Sequence, residues 1–307
     1  MSLRLTVAIC TWNRCDLLRQ TLERMAQLAI PAQLAWELVV VNNRCTDATD
    51  AVLAEFETRL PLRRIYEPEP GQSNARNAAI REARGEYVVW TDDDVLVDQA
   101  WLTEYAAAFD RWPDATFFGG PIEPWFEGEP PAWLRAGFGR VHAAFAVLDL
   151  GPSPVRLSAT NFPYGANMAV RREIYTEVQY DPGLGLRPGS SMRSEELALV
   201  RHLAAAGKEG RWVPGARVTH FIPRARQTVA YLRGYYFGWG EYLGRAAKAQ
   251  NRALWGRPLW LWRELVESEA RYWLWRAVGR PERWLDELKN ASAARGRFRW
   301  YGAGFYG

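Results

Sequence analysis

The chain has 307 residues, of which 48% are hydrophobic and 24% charged, a composition typical of globular proteins and not of disordered ones. Its net charge of +4 is unevenly divided: residues 1–223 carry 23 basic and 28 acidic side chains, whereas residues 224–307 carry 16 basic and 7 acidic ones. An acidic body argues against a uniform nucleic-acid-binding surface, while the basic end suits an anionic partner surface.

The cysteines and the amino-terminal residues indicate the cellular compartment of the protein. Cys10, Cys15 and Cys45 are odd in number and lack CxxC spacing, which argues against a disulfide framework and against a zinc site. The first residues lack the basic start and apolar core of a signal peptide, and no apolar run is long enough to span a bilayer. These features predict a reduced, cytoplasmic setting.

Strand-like and helix-like segments alternate four times in the first 120 residues. Apolar runs predict strands at 3–10, 36–43, 62–67, 86–91 and 115–120. Periodic segments between them predict helices at 16–28, from Thr46 (with Thr46 or Asp47 as its cap), at 71–83 with Gly85 as its stop, and from about Gln99. Short connections between such elements are typical of an α/β fold with a doubly wound, mainly parallel sheet, a Rossmann-like nucleotide-binding architecture.

The rest of the chain is less regular. Residues 121–163 are rich in Pro, Gly and Trp, which predicts a loop-rich insertion with one helix near 133–148. Further on, the pattern predicts a strand entering a helix at 165–172, a mobile loop at 181–194, a helix at 194–207 and a last strand at 212–221. We expect a catalytic domain at 1–223 and a helical extension at 224–307.

Three consecutive aspartates, Asp92, Asp93 and Asp94, directly follow the strand that ends in WT. Carboxylates at alternate positions beyond a strand end can face one divalent cation and a neighbouring ribose, and Mg²⁺ and Mn²⁺ prefer oxygen ligands. The alternative is an acidic cap for the helix that begins near Gln99.

Four further side chains are candidates for chemistry. Glu195 and Glu196 open a helix beside a glycine-rich loop, where one can act as a general base, or both can simply favour the helix start. His220 can complete a metal site of mixed oxygen and nitrogen ligands, or be an ordinary buried histidine. Arg76 can bind a phosphate or a pyrimidine carbonyl at a helix entry, or be a surface arginine.

The order of these motifs resembles glycosyltransferase family 2, which has the GT-A fold. The resemblance covers about the first 220 residues and is carried by VAICTWNR (7–14), VVVNNRCTDAT (39–49), EPEPGQSNARNAAIREARGEYVVWTDDDV (67–95), PYGANMAVRR (163–172), DPGLG (181–185), SEELAL (194–199) and VPGARVTHF (213–221). Seven segments in the same order make the combined match more specific than any one of them.

The resemblance implies roles for individual residues. It implies that Asp94 and His220 bind Mn²⁺ or Mg²⁺, with Asp94 on the side of the diphosphate, and that Asp92 faces the ribose. Glu196 would be the catalytic base, and Glu195 the preceding acid, close to the acceptor. The donor and its nucleotide would lie against Thr11, Asn13, Arg14, Asn42, Asp47, Arg76, Asp92 and Asp93.

The chain departs from the family's pattern at two places. Asn42 stands where the family usually has aspartate, and its neutral amide can still hydrogen-bond the edge of a base. Glu195-Glu196 stands where the family has Glu-Asp, which makes the base a longer carboxylate.

The resemblance implies an inverting, metal-dependent transfer of a sugar from a UDP-, GDP- or dTDP-sugar to a hydroxyl group of a saccharide or a lipid-linked acceptor, without nucleic acid as a partner. A catalytically silent protein that binds a nucleotide-sugar or a glycan is the first alternative, because of Asn42 and the Glu-Glu pair. A sugar nucleotidyltransferase is less favoured, because no glycine-rich loop follows the first strand.

Half of the 16 tryptophans lie beyond residue 224. Helical spacing places Trp255, Leu259, Trp262 and Val266 on one stripe, with Trp273 and Ala277 further on and with Arg263, Arg271 and Arg276 nearby. Tryptophan and arginine mixed in this way suit peripheral contact with the inner face of a membrane. The alternative is a pair of helices that pack on the catalytic domain.

Overall fold

The computed structural model describes residues 3–158, 160–185, 195–246, 253–255 and 257–303. The chain forms two compact units, of which unit 1 comprises the described residues of 1–125, 146–188 and 195–221, and unit 2 those of 126–145 and 222–307. Segment 126–145 thus groups with the carboxyl-terminal helices, and a domain boundary at residue 223 stays a prediction. The predicted mobile loop lies outside the described residues from 186 onwards.

The strands are, in chain order, β1 (Leu5–Thr11), β2 (Trp36–Asn42), β3 (Leu62–Tyr66), β4 (Tyr87–Trp90), β5 (Val95–Val97), β6 (Ala115–Gly119), β7 (Ile122–Phe126), β8 (Arg156–Leu157), β9 (Met168–Arg171), β10 (Glu209–Trp212), β11 (Val218–Ile222), β12 (Ala253–Leu254) and β13 (Arg257–Pro258). The α-helices are α1 (Cys15–Met25), α2 (Thr49–Phe56), α3 (Gln72–Glu82), α4 (Trp101–Arg111), α5 (Ala132–Val141), α6 (Glu195–Ala205), α7 (Val229–Ala246), α8 (Leu259–Ala277) and α9 (Pro281–Ala303).

The main sheet of unit 1 has eight strands in the described part of the chain, in the order β3-β2-β1-β4-β9-β6-β10-β8. Neighbours β3, β2, β1 and β4 are parallel, and so are β6 and β10. Strand β9 is antiparallel to both of its neighbours, and β8 is antiparallel to β10. This topology confirms the doubly wound, mainly parallel sheet that the alternating pattern predicts.

Both faces of the sheet are covered by helices, which is why β1 and β2 read as continuous apolar runs. Leu5, Val7 and Ile9 of β1 lie in one buried cluster with residues of α1, α2 and α4. Ala8 points to the opposite face, into a second cluster with residues of α3 and α6. The carboxyl ends of β1, β2 and β4 therefore emerge together at one edge, where ligands of such sheets bind.

The structure corrects several predicted elements. Strand β5 follows the three aspartates where no strand is predicted, and β7 and β8 lie inside the predicted loop-rich insertion. The predicted strand 212–221 is two strands, β10 and β11, which belong to different sheets because Pro214 and Gly215 interrupt the run. Helix α2 begins at Thr49 and not at Thr46; the Asp47 carboxylate accepts hydrogen bonds from both the backbone N–H and the hydroxyl of Thr49.

Unit 2 is helical, as the sequence predicts for the carboxyl-terminal part. Helix α9 packs along α7, α8 and α5. The first of these contacts is close: a Cβ at Gly240 of α7 would lie 2.1 Å from the carbonyl oxygen of Ala293 in α9. Among the described residues, none of the helices combines the length and hydropathy that a membrane span requires.

Gly85 has a role that differs from the predicted one. Helix α3 ends at Glu82, so Gly85 does not cap it. A Cβ at Gly85 would instead lie 2.4 Å from the backbone nitrogen of Thr6 and 2.5 Å from the carbonyl carbon of Leu5. The absence of a side chain lets the chain enter β4 directly against β1.

We expect Gly85→Ala to lower the free energy of unfolding by about 1–3 kcal/mol, because backbone atoms of β1 must move to admit the methyl group. The matched control is Gly139→Ala in α5, where a Cβ meets no atom within 4 Å. Alanine should stabilise that helical position by up to about 1 kcal/mol. Urea unfolding followed by tryptophan fluorescence measures both variants, and an unfolding midpoint for Gly85→Ala equal to that of the wild type would contradict the close approach.

Candidate active site

The three aspartates lie at the carboxyl end of β4, which pairs with β1 up to the Trp90–Ala8 position. The middle one, Asp93, turns towards the end of β1 and towards α1. Its Oδ2 accepts a hydrogen bond of 2.7 Å from the Thr11 hydroxyl, and its backbone carbonyl accepts one of 3.0 Å from Thr21. Asp93 therefore anchors the acidic turn to the first βα unit of the sheet.

Arg14 lies between two of the carboxylates. Its Nη1 donates to Asp93 Oδ1 at 3.0 Å and to Asp94 Oδ2 at 2.9 Å. The arginine is more than one-third exposed, whereas both carboxylates are buried. One guanidinium group thus supplies positive charge to two acids that are largely withdrawn from water.

Strand β11 brings His220 beside the acidic turn. In the antiparallel pairing of β5 with β11, His220 stands opposite Val95, the residue after Asp94, and the Phe221 N–H donates to the Asp94 carbonyl at 2.9 Å. His220 Nε2 lies 3.4 Å from Asp94 Oδ1. Asp92, Asp94 and His220 each offer one ligand atom, and these atoms all lie within 4.8 Å of one another.

This donor set fits a hard or borderline divalent cation. Two carboxylate oxygens and one imidazole nitrogen are ligands that Mn²⁺ accepts, and the oxygens alone suit Mg²⁺. The acidic turn is not the cap of α4, because Asp98 is the residue that accepts the hydrogen bond from the Ala100 N–H at the start of that helix. The sequence-based alternative of an acidic helix cap is therefore wrong.

Burial perturbs the pKa values of these acids. It raises the pKa of Asp93 to about 6, although the Arg14 charge and the Thr11 hydrogen bond act in the opposite direction. Burial also raises the pKa of Asp92, and the Asp94 charge raises it further. A cation among these groups would favour their ionised forms.

Three other residues that the sequence predicts to bind the nucleotide-sugar lie at or after the carboxyl ends of β1 and β2. The Asn13 side chain, from a residue with φ +53°, accepts a hydrogen bond of 2.7 Å from the Thr46 N–H. Asn42 donates to Asp50 at 2.9 Å and accepts from the Cys45 N–H at 2.7 Å. Asp47 accepts from the Cys15 N–H at 2.9 Å. Asn13 and Asp47 thus join the two loops, whereas the bonds of Asn42 stay within the second loop and the start of α2.

The remaining predicted residues form a separate group between α3 and α6. Arg76 Nη2 lies 2.7 Å from Glu196 Oε1, and its Nη1 lies 3.5 Å from Glu195 Oε1. The side chains of Arg76 and Glu195 are 2% and 3% exposed, whereas that of Glu196 is 20% exposed. Arg76 is therefore not a surface arginine, and of the two glutamates Glu196 is the one that solvent or a substrate reaches.

The two groups share one electrostatic environment. The charges of Arg76 and Glu196 both act on the pKa of Asp92, the first lowering it and the second raising it. One residue of the site, Gly165, was not predicted: a Cβ there would lie 2.2 Å from Arg76 Nη2 and 2.5 Å from Glu196 Oε1. The sequence signal that could have indicated Gly165 is its place in PYGANM, one of the segments that carry the family resemblance.

Comparison with known proteins identifies the family. The family model described as "Glycosyl transferase family 2" matches residues 6–178. The succinoglycan biosynthesis protein ExoM of Rhizobium meliloti is 25% identical over 263 residues, which cover 84% of this chain and 79% of that protein. Validoxylamine A glucosyltransferase of Streptomyces hygroscopicus is 30% identical over 106 residues, 34% of this chain and 25% of that enzyme.

Solved structures share the fold. The mannosyltransferase PcManGT from Pyrobaculum calidifontis, in complex with GDP-Man and Mn²⁺, superposes with a TM-score of 0.56 at 20% identity, over 96% of this chain and 74% of that one. A fragment of TarS from S. aureus in complex with UDP-GlcNAc gives 0.55 at 14% identity, over 97% and 92%. The sheet and its helices are thus those of GT-A glycosyltransferases.

Proposed function

The chain belongs to glycosyltransferase family 2, and we propose that it transfers a sugar from a nucleotide-sugar to a hydroxyl group of a saccharide or lipid-linked acceptor, with inversion at the anomeric carbon. One observation carries the proposal: a cation-type donor set, Asp92, Asp94 and His220, lies in the same electrostatic environment as the partly exposed carboxylate of Glu196. The two groups supply the two requirements of the reaction, a place for the departing diphosphate and a base for the acceptor.

We assign the donor nucleotide to the edge formed by the ends of β1, β2 and β4. Thr11 and Asn42 stand at matched positions of β1 and β2, and Asn13, Arg14 and Asp47 follow them in the loops. Asp92 faces the ribose in this assignment, and Asp93 fixes the turn that presents it. GDP-Man and UDP-GlcNAc in the related structures support a nucleotide-sugar as the donor.

Asp92, Asp94 and His220 are the residues that would hold Mn²⁺ or Mg²⁺. Such an ion, when bound, neutralises the negative charge that develops on the leaving nucleoside diphosphate. Arg14 already contacts Asp93 and Asp94 at 3.0 and 2.9 Å, so positive charge stands beside the acids before any ion arrives. The Mn²⁺ in the PcManGT complex supports this assignment.

Glu196 is the general base. Its carboxylate takes the proton of the acceptor hydroxyl while that oxygen forms a bond to the anomeric carbon and the bond from that carbon to the diphosphate oxygen breaks. A single displacement of this kind inverts the configuration at the anomeric carbon. Glu196 lies in the first turn of α6.

The similarity to a succinoglycan biosynthesis protein supports a role in polysaccharide assembly. Helix α8 has an exposed apolar stripe, the α8 stripe, made of Leu259, Val266 and Trp273, which are 52%, 65% and 62% exposed. The opposite face of the helix is buried through Leu261 and Tyr272. A row of large apolar side chains on the solvent-facing side of a helix indicates a partner for that side.

We assign an anionic lipid surface as this partner. Residues 224–307 carry 16 basic side chains against 7 acidic ones. Arg263, which pairs with Glu267 and has a side chain that is 79% exposed, lies on α8 between Leu259 and Val266. Tryptophan and arginine on one surface suit the headgroup region of a bilayer. The predicted stripe changes in detail: Trp255 precedes α8, and Trp262 packs on Phe298 with ring centroids 4.5 Å apart. The cytoplasmic setting stays a prediction.

We expect Arg14→Ala to lower the Tm of the metal-free protein, because Asp93 and Asp94 lose their counter-charge. Saturating Mn²⁺ should reduce the difference in Tm between Arg14→Ala and the wild type, since the cation replaces the charge of Arg14. Arg19→Ala is the matched control, because Arg19 lies on α1, which Arg14 directly precedes, is equally exposed and pairs with Glu55. The difference in Tm between Arg19→Ala and the wild type should not depend on Mn²⁺. Thermal unfolding with and without Mn²⁺ measures these effects. Asp94→Ala should lose the rise in Tm that Mn²⁺ causes in the wild type, and a rise as large as that of the wild type would exclude the assigned site.

We expect Glu196→Gln to bind the donor as the wild type does and to lose transfer by about 10²–10⁴-fold, because the amide cannot accept the proton. A panel of UDP-, GDP- and dTDP-sugars with Mn²⁺ first identifies the donor by thermal stabilisation. Calorimetric titration and a transfer assay then separate binding from turnover. Glu173→Gln, at a side chain that is 75% exposed, is the control. Wild-type turnover by Glu196→Gln would remove this residue from the role of base.

We expect the protein to sediment with vesicles of phosphatidylcholine and phosphatidylglycerol, and less with phosphatidylcholine alone, because both charge and apolar burial contribute. Replacement of Leu259, Val266 and Trp273 by serine should abolish this binding, whereas Tyr66→Ser, at a 63% exposed aromatic residue of unit 1, should not. Equal binding by the triple variant would contradict the assignment. Concentration-dependent dimerisation that the triple variant loses would assign the stripe to a second copy of the chain instead.

A further inference from the structure

We propose that Arg76 is a positioning residue for Glu196, and not a ligand of the donor nucleotide as the sequence predicts. This inference rests on the proposed function, because it concerns the base of that reaction. Arg76 lies in the second turn of α3, and Glu195 and Glu196 open α6, so one guanidinium joins two helices that are 120 positions apart in sequence. The Nη2–Oε1 distance of 2.7 Å to Glu196 is that of a charge-assisted hydrogen bond.

The guanidinium group is enclosed before any substrate arrives. Arg76 is 2% exposed, and its Cζ lies 5.6 Å from the centroid of the Trp90 ring and 5.2 Å from that of Tyr180. Tyr180 is itself tied to α3, since its N–H donates to the Asn77 side chain at 3.0 Å and its carbonyl accepts from that side chain at 2.8 Å. An arginine packed in this way has a fixed orientation and little surface left for a nucleotide.

Gly165 makes the short ion pair sterically feasible. A Cβ at this position would lie 2.2 Å from Arg76 Nη2 and 2.5 Å from Glu196 Oε1, which is closer than non-bonded atoms approach. The backbone of Gly165 thus forms a wall against the pair, and only a residue without a side chain leaves room for it. Arg76 Nη2 and Glu196 Oε1 are therefore confined both by α3 and by the segment before β9.

The consequence concerns the two oxygens of Glu196. Oε1 accepts the hydrogen bond from Arg76, whereas Oε2 accepts none from the residues that the structure describes. With its side chain 20% exposed, the carboxylate is held by one oxygen and presents the other. Positioning of this kind matters for proton transfer, because a displacement of about 1 Å at a reacting group can cost 10²-fold in rate.

The test compares Arg76→Ala, Arg76→Lys and Gly165→Ala with a matched control, Arg81→Ala. Arg81 lies on the same helix, and its exposed side chain pairs with Glu67. For Arg76→Ala we expect kcat to fall by about 10²-fold with the donor Kd and KM unchanged. Arg76→Lys should recover part of kcat, because it keeps the charge without the fixed fork. Gly165→Ala should lose kcat in the same way, and Arg81→Ala should match the wild type.

A double variant separates positioning from a general structural effect. If Arg76 acts through Glu196, Arg76→Ala combined with Glu196→Gln should be no slower than Glu196→Gln alone, because residues that act as a unit are not additive. If Arg76→Ala does not fold, the comparison is made with Arg76→Lys and Gly165→Ala. A fall in kcat of the double variant below that of the single one would indicate a structural role and overturn the proposal.

A different result is expected if Arg76 binds the donor nucleotide, as the sequence predicts. A donor Kd that rises in Arg76→Ala while kcat is retained would make Arg76 a nucleotide ligand and overturn the positioning role. Failure of the proposed function has another signature, since it appears as wild-type turnover by Glu196→Gln whatever Arg76 does. Calorimetric donor binding and steady-state transfer, measured on the same preparations, distinguish these results.

Discussion

Like-charge repulsion is the constraint under which this site is built. Five carboxylates, those of Asp92, Asp93, Asp94, Glu195 and Glu196, share one electrostatic environment at the carboxyl edge of the sheet, and most of them are withdrawn from water. Each group of acids has its own arginine: Arg14 contacts two of the aspartates, and Arg76 contacts both glutamates. These arginines divide the acids into two groups, which in our proposal serve as the ion site and as the base of the transfer.

The fold was largely predictable because local patterns determine it. The apolar runs of β1, β2 and β4 are buried on both faces and alternate with helical segments, so their order alone implies the doubly wound sheet. The short strands were not predictable in the same way. Strand β5 has only three residues and becomes a strand through its pairing with β11, more than 100 positions later in the chain.

The site was predictable in its residue types and not in its contacts. The spacing of Asp92 and Asp94 and the glutamate pair at a helix start indicated an ion site and a base, because those patterns are local. The missed strand β5 is what brings His220 beside Asp94. The pairing of Arg76 with Glu196 and the space left by Gly165 involve three distant segments, and a helical arginine in the sequence alone suggests a phosphate ligand equally well.

The side chain of Asn42 has a consequence for how this sequence can diverge. Its amide uses both ends, donating to Asp50 and accepting from the Cys45 N–H. An aspartate at position 42, the residue typical of the family, would keep the second bond but would set two carboxylates about 3 Å apart in place of the first. We therefore expect a homologue with aspartate at position 42 of β2 to lack an acid at position 50 of α2, because the two carboxylates would repel each other.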